Sequence, residues 1–283
     1  MIKYSIITPL KNEIDYIEKT IHSVTNQLFL PEEWIIIDDN SNDGSELIIE
    51  NAAMKFSWIK IFRPTEYKLK DYSSRVVYLF NYGYSKLTLR VNYVSKLDAD
   101  VSFAPNFYKN IILTFEKNSA LGIASGHLTQ NNIPEKVQHI DMVCTRGATK
   151  VYRVKCLEDI GGIVCFQGWD SLDNVAARAK GWHVAVLPEY FEHLKEEGSK
   201  VGNRFYRSYR TGYYNGAIPY FFPYFIIKAL SKLIVKPILI GAILQIIGYL
   251  KSRFIDKLRP YDTYIVTQLV IEQKRMLKRL FIK

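Results

Sequence analysis

Asp98 and Asp100 end the run Tyr93-Val94-Ser95-Lys96-Leu97-Asp98-Ala99-Asp100, and two carboxylates one residue apart can share a hard divalent cation. Val94 and Leu97 lie in a short apolar run of the kind that makes a buried strand, and the aspartates fall where that run stops. In open α/β sheets ligands bind in the crevice beyond the carboxyl ends of the strands. A Mg²⁺ or Mn²⁺ held there neutralises a diphosphate that leaves with developing negative charge. A solitary Asp-x-Asp also suits a solvated turn, so its weight rests on the segments around it.

Those segments alternate. Lys3 to Thr8 reads as a first strand, Pro9 and Lys11-Asn12-Glu13 as a loop, and Ile14, Ile17, Ile21, Val24 and Leu28 as the apolar face of a helix. Trp34 to Ile37 reads as a second buried strand ending in Asp38-Asp39-Asn40-Ser41-Asn42-Asp43-Gly44-Ser45. A helix with Leu47, Ile48 and Met54 follows, then a strand from Trp58 to Phe62. Continuous apolar strands alternating with amphipathic helices predict an α/β fold, a mostly parallel central sheet with helices on both faces. Asp38-Asp39 would then share a rim with Asp98 and Asp100. An acid on that rim can accept from a base edge or a ribose hydroxyl, while Asn40 to Ser45 suit a turn and a helix cap.

Thr8-Pro9 with Asn12-Glu13, the run Ile37 to Ser45, and Leu97-Asp98-Ala99-Asp100, in this order and spacing, resemble the inverting family 2 glycosyltransferases of the A-type nucleotide-diphospho-sugar transferase fold, bacterial surface-polysaccharide type. The resemblance implies a nucleotide-diphosphate sugar as donor and a divalent metal, Mg²⁺ or Mn²⁺, as cofactor. It implies that Thr8, Pro9, Glu13 and Asp39 surround the nucleoside, with Asp39 on the base, and that Asp98 and Asp100 serve the ribose, diphosphate and metal. Where relatives carry a Gly-x-x-x-Ala-Arg-Asn-like segment this chain has Lys68 to Arg75, so Arg75 or Lys70 is the candidate diphosphate contact, a solvated helix start being the alternative.

The acceptor half begins after Asp100, with a helix from Pro105 through Phe115, a strand from Leu121 to Gly126 and another from Gly147 to Arg153. Gly147 would admit an acceptor close to the backbone or mark a bulge. Gly168-Trp169-Asp170 opens a helix that runs to Gly181, before a strand from His183 to Leu187. This resembles the family segment in which Gly-Glu-Asp opens a helix, with Trp169 replacing the usual Glu and Asp170 falling on the general base that takes the proton of the acceptor hydroxyl. Asp170 also suits a helix N-cap, and Asp173, one turn on, is its rival or its partner. Trp169 and Asp173 join Gly147 as expected acceptor contacts. His193, in the polar loop expected after that strand, falls near a histidine of relatives and is a third metal ligand or a diphosphate contact.

Residues 199–283 carry 16 Lys/Arg and 3 Asp/Glu, a net of +13, whereas the whole chain carries +10. Arg204, Arg207 and Arg210 continue a basic stretch after Gly198-Ser199-Lys200 that can cover a diphosphate or an anionic acceptor. Lys228, Lys232 and Lys236 stripe an aromatic, apolar segment, and Pro237 to Leu250 is uncharged but only 14 residues long, short of the roughly 20 of a span. Peripheral or re-entrant attachment to an anionic membrane surface is the expectation. A span over Ala229 to Leu250, or a soluble oligomerisation arm, would be the other uses. The last amphipathic helix is expected over Tyr261 to Leu280. Domains are expected at 1–200 (catalytic, with a nucleotide-sugar half to 100 and an acceptor half after it) and 201–283 (tail). Met1 leads directly into a strand and three cysteines lack paired spacing, which predicts reduced, packed thiols and the cytoplasmic face of the membrane.

The expected acceptor is a saccharide or lipid-linked saccharide in cell-surface polysaccharide or glycolipid synthesis. A polyprenyl-phosphate sugar synthase would share the donor site and not need a strong base. A non-catalytic scaffold would turn over no donor. A nucleotidyltransferase is disfavoured by the lack of a glycine-rich basic loop after the first strand, and nucleic-acid binding by the apolar threads in the basic tail.

Overall fold

The computed structural model describes residues 2–65, 72–130, 133–134, 144–195, 203–218, 220–231 and 240–281. Lys70, Gly198 to Lys200, and Lys232 and Lys236 of the lysine stripe lie outside the described residues. The chain forms two compact units, residues 1–139 with 143–196, and residues 140–142 with 197–283.

In the first unit the β-strands are β1 (Tyr4–Leu10), β2 (Glu33–Asp38), β3 (Ile59–Phe62), β4 (Tyr93–Leu97), β5 (Val101–Phe103), β6 (Leu121–Gln130), β7 (Ile133–Pro134), β8 (Thr149–Arg153) and β9 (His183–His193). The helices are α1 (Ile17–Thr25), α2 (Ser45–Lys55), α3 (Tyr72–Tyr84), α4 (Phe107–Lys117), α5 (Val154–Asp159) and α6 (Trp169–Ala179). Among the described residues one sheet runs in the order β3, β2, β1, β4, β8, β6, β9, β5, with β7 paired to β6.

The sheet is mixed, a correction to the mostly parallel expectation. β3, β2, β1 and β4 are parallel, each joined to the next in sequence by a helix. β8 then pairs antiparallel with both β4 and β6, and β5 antiparallel with β9. Antiparallel neighbours of this kind need no crossover helix between them, whereas the parallel strands do.

Helices cover both faces because the strands are apolar on both. Tyr4, Ile6, Trp34, Ile36, Tyr93 and Val151 share a core with Ile17, Val24, Ile49, Phe107 and Ile111 of α1, α2 and α4. The alternate residues face α3, where a Cβ on Gly83 would lie 2.6 Å from Ile7 and 3.1 Å from Ile37, so only a glycine lets the helix approach that closely. Full burial of a large apolar side chain contributes about 1.5–3 kcal/mol, which makes these two layers the chief source of stability.

Helix boundaries differ from the periodic reading. α1 starts at Ile17, leaving Ile14 and Leu28 42% and 68% exposed, because Asn12 to Asp15 are used in a loop. In α2 the core face is Ser45, Ile49 and Ala52, while Leu47 and Met54 face outward. β9 runs six residues past the expected end at Leu187 and carries His193 as its last residue. Pro188 is tolerated because it sits in a bulge: Ser125 pairs with Val186, whereas His127 pairs with Tyr190. None of the three cysteines forms a disulfide, and Cys156 is buried, but Cys165 is exposed rather than packed.

The second unit contains α7 (Arg204–Ala217), α8 (Phe222–Leu230), α9 (Ile240–Leu250), a π-helical turn (Lys251–Asp256) and α10 (Thr263–Phe281). α7 and α9 approach through glycines: a Cβ on Gly212 would lie 1.8 Å from the Gln245 carbonyl oxygen, and one on Gly248 would lie 2.2 Å from that of Tyr209. No helix among the described residues is long and apolar enough to cross a membrane. α8 ends at Leu230 and α9 begins at Ile240, and residues 232–239 of the stretch from Ala229 to Leu250 lie outside the described residues.

Candidate active site

The carboxyl ends of β2, β1 and β4 form one rim. Leu10 is in register with Asp38, and Asp39 N–H donates to the Leu10 carbonyl at 2.8 Å, so the loop after β2 leaves beside the loop after β1. These loops are laced together: Ser41 Oγ accepts from Asn12 N–H, Asn12 Oδ1 from Asn42 N–H, Ser45 Oγ from Glu13 N–H and Asp43 Oδ2 from Ile14 N–H. Ser41, Asp43 and Ser45 thus spend their side chains on the β1 loop. Gly44, at φ +102°, caps α2 in the left-handed region.

Each acid of the Asp38-Asp39 pair has its own environment. Asp38 is buried and paired with Arg63 at 2.9 Å, and its other oxygen accepts from Ser41 N–H, so it is a framework group. Asp39 faces Arg75 of α3, whose guanidinium lies 3.3 Å away, which brings together two of the expected donor-side residues. Pro9 is half-buried at the end of β1. The Thr8 side chain is fully buried and its hydroxyl accepts from the Trp34 indole at 2.9 Å, because odd and even residues of β1 face opposite sides of the sheet. It supports the rim from below. The Glu13 carboxylate takes hydrogen bonds from Lys195 at 2.5 and 2.7 Å, tying the β1 loop to the end of β9.

Asp98, Asp100 and His193 converge. One oxygen of each aspartate and one ring nitrogen of His193 all lie within 4.8 Å of one another. The β5–β9 ladder does this, pairing Val101 with His193, while Leu194 N–H donates to the Asp100 carbonyl at 2.8 Å. His193 Nδ1 lies 2.8 Å from the Lys195 carbonyl, which can only accept, so Nδ1 carries a proton and Nε2 faces Asp100 at 3.5 Å. Burial, and then the Asp98 charge, pushes the Asp100 carboxyl up to about 6. An Asp100 carboxyl whose proton affinity is raised by burial and by the Asp98 charge, beside an oriented imidazole, fits a divalent cation, which would reverse that repulsion. The mixed oxygen and nitrogen set suits Mn²⁺ as well as Mg²⁺.

Three lysines outside the expected set neighbour these acids. Lys96 is the cross-strand partner of Lys150, and both are buried. Lys96 pairs with Asp98, Lys150 with Asp173, and the Trp169 ring lies 5.4 and 5.2 Å from the two ammonium groups. Like charges opposite one another on a ladder repel, so each needs its own carboxylate and the shared π face. A lysine inside an apolar strand pattern was the available signal for both, since Lys is almost never fully buried unless paired. The third is Lys195, whose ammonium burial would pull down but the Glu13 carboxylate holds up.

Asp170 is exposed in the first turn of α6, beside Gly147, whose Cβ would lie 3.5 Å from that of Asp170. The N-cap is Gly168 at φ +89°, not Asp170, so the Asp170 carboxylate is not used as a cap. Its main-chain oxygen accepts from Lys150 Nζ and from the Asn174 amide, both at 2.6 Å, which pins the turn that carries it. Asp173 and Trp169 are both buried, and Asp173 sits as a partner of the Asp170 turn, joined to it through Lys150. The Asp173 carboxylate accepts from Lys150 at 2.8 Å on each oxygen, and also from Tyr152 and Asn174. Burial pushes that carboxyl up, and the Lys150 charge and these hydrogen bonds oppose the shift.

This architecture has relatives. The mannosyltransferase PcManGT of Pyrobaculum calidifontis, solved with GDP-Man and Mn²⁺, superposes with a TM-score of 0.60 at 14% identity, over 99% of this chain and 75% of that one. TarS of Staphylococcus aureus with UDP-GlcNAc gives 0.62 at 18% identity, over 99% and 92%. Both likenesses concern the fold. In sequence, the GalNAc(5)-diNAcBac-PP-undecaprenol β-1,3-glucosyltransferase of Campylobacter jejuni is 38% identical over 68 residues, 24% of this chain and 22% of that protein. Matches to curated relatives span 17 to 41% of those relatives' lengths. The sequence model of glycosyl transferase family 2 matches residues 5–166, more than half of the chain, and the chain therefore belongs to glycosyl transferase family 2.

Proposed function

We propose that this protein is a metal-dependent, inverting glycosyltransferase that moves a sugar from a nucleoside-diphosphate donor to a hydroxyl of a saccharide or lipid-linked saccharide, in cell-surface polysaccharide or glycolipid synthesis. The observation that carries this reading is the Asp98, Asp100 and His193 cluster on the same rim as the Asp39–Arg75 pair, with the exposed Asp170 beyond Trp169. Asp39 accepts from the nucleobase and Arg75 both orients Asp39 and faces the donor. Asp98, Asp100 and His193 hold the divalent cation, which when bound supplies charge neutralisation to the diphosphate.

Asp170 takes the proton of the acceptor hydroxyl as that oxygen forms its bond to the anomeric carbon. The bond from that carbon to the diphosphate oxygen breaks on the opposite side, and its electron pair leaves with the diphosphate. Attack opposite the leaving group inverts the anomeric centre. Lys150 and Asn174 hold the Asp170 main chain still, and positioning of this kind is what makes a general base effective. The lipid-linked acceptor class is supported by the undecaprenol-linked saccharide in the name of the Campylobacter relative.

Calorimetric titration of UDP, GDP, CDP and dTDP, with and without Mn²⁺, tests the donor site on wild type and on Asp100→Ala. Metal-dependent binding of one diphosphate, lost in the variant, is expected. Failure of all four to bind would remove the transferase reading. The anomeric configuration of the product, read by NMR from the matching sugar donor, tests inversion.

A further inference from the structure

The second unit carries a surface that the transfer chemistry does not use. α9 is uncharged over its 11 residues, and its inner face is locked: Tyr249 stacks on Phe225 at 4.2 Å, Ala242 is buried, and Gly248 meets the backbone of α7. The outer face is apolar too. Ile240, Ile243, Ile247 and Leu250 are 50, 56, 49 and 40% exposed, and Phe254 of the π-helical turn is 63% exposed. Spaced by three and four residues, these side chains make one stripe down one side of the helix. A contiguous stripe of large exposed apolar groups marks an interaction site, whereas scattered ones do not.

We infer that this stripe is where the chain docks on an anionic lipid bilayer, with α9 lying in the plane of the interface. Charge selects this occupant. Lys251, Lys257 and Arg259 are exposed at the end of the stripe, and residues 199–283 carry a net of +13. The acid among them, Asp256, already accepts from the Tyr213 hydroxyl at 2.6 Å. Anionic headgroups neutralise such a rim, each Lys or Arg near the surface contributing about 1 kcal/mol, whereas a second copy of the chain would bring like charge to like. Amphipathicity selects the orientation. One side of α9 is packed through Gly248 and Tyr249 while the opposite side is apolar and exposed, and no helix among the described residues is long and apolar enough to cross a membrane, so α9 lies along the interface. The face differs from the lysine-striped segment that the sequence points to, and it agrees with an acceptor carried on lipid. It does not depend on the transfer reaction.

Flotation of the full chain with phosphatidylcholine vesicles, with and without phosphatidylglycerol, tests the inference. Wild type is expected to float with the anionic vesicles and to be released by high salt. Ile243→Glu with Ile247→Glu, both on the exposed face, is expected to weaken that binding by about tenfold or more. Lys251→Glu with Lys257→Glu is expected to abolish the preference for phosphatidylglycerol. Nucleotide titration on the same variants reports separately on the donor site, so a failed transferase reading and a failed docking face are distinguishable. Unchanged flotation of the Ile243→Glu, Ile247→Glu variant would overturn the assignment. So would a wild-type dimer in light scattering that the same two substitutions dissociate, which would give the face to a second copy instead.

Discussion

Lys150 Nζ lies 2.6 Å from the main-chain oxygen of Asp170 while both its contacts to the Asp173 carboxylate are 2.8 Å, so one buried ammonium joins a framework acid to the turn that presents the proposed base. Lys150→Met leaves Asp173 buried without its counter-charge, an arrangement that costs about 3–5 kcal/mol. Chemical denaturation should show that loss, and Lys150→Met with Asp173→Asn should recover part of it. If the double variant were no more stable than Lys150→Met alone, the pair would not be coupled as its geometry requires.

The exposed carboxylate of Asp170 carries the second prediction. Asp170→Asn should lower turnover by about 10²–10⁴-fold, the range of general-base catalysis, and leave binding of the donor diphosphate unchanged. Full turnover in this variant would favour an acceptor that is already ionised, as a phosphate is.

For the metal cluster, His193→Ala removes one of three ligand groups within 4.8 Å, and Asp100→Asn removes a negative one. Each should weaken Mn²⁺ binding by about 10–100-fold, judged by the effect of losing even an outer partner of a ligand. Mn²⁺ titration calorimetry without nucleotide reads this directly.

Acidity should act in opposite senses on folding and on metal binding. Asp100 is raised from 3.8 to about 6 in the folded, metal-free protein, which therefore holds that proton more tightly than the unfolded chain does. Its contribution to stability is present at low pH and is lost as pH rises through about 6. A cation needs the ionised form, so Mn²⁺ affinity should fall by up to about tenfold per pH unit below about 6. Equal Mn²⁺ affinity at about pH 7 and about pH 5 would contradict the assignment of Asp100 as a ligand.

In the second unit, Gly212→Ala puts a methyl group where a Cβ lies 1.8 Å from the Gln245 oxygen. Backbone cannot yield as a flexible side chain can, so a loss of about 1–3 kcal/mol is expected from forcing α7 and α9 apart. A melting temperature equal to wild type would show that the two helices are not held at that separation.

Strand identity on the nucleotide side, and the acids at the ends of β2 and β4, were legible in the sequence because burial and element type are written locally, in continuous apolar runs punctuated by polar turns. The Asp98 and Asp100 pair drew its weight from those neighbouring runs. Which strands pair is not a local property. The antiparallel entry of β8, the bulge that lets β9 continue past Pro188, and the β5–β9 ladder that carries His193 to Asp100 across 93 residues are set by which edges remain free once the parallel core has formed. The same holds for the roles of the charged side chains. The tertiary structure buries the side chains of Thr8 and Asp173 in hydrogen bonds, and it brings Lys96, Lys150 and Lys195 beside the acids because a buried charge must find a partner wherever the packing provides one.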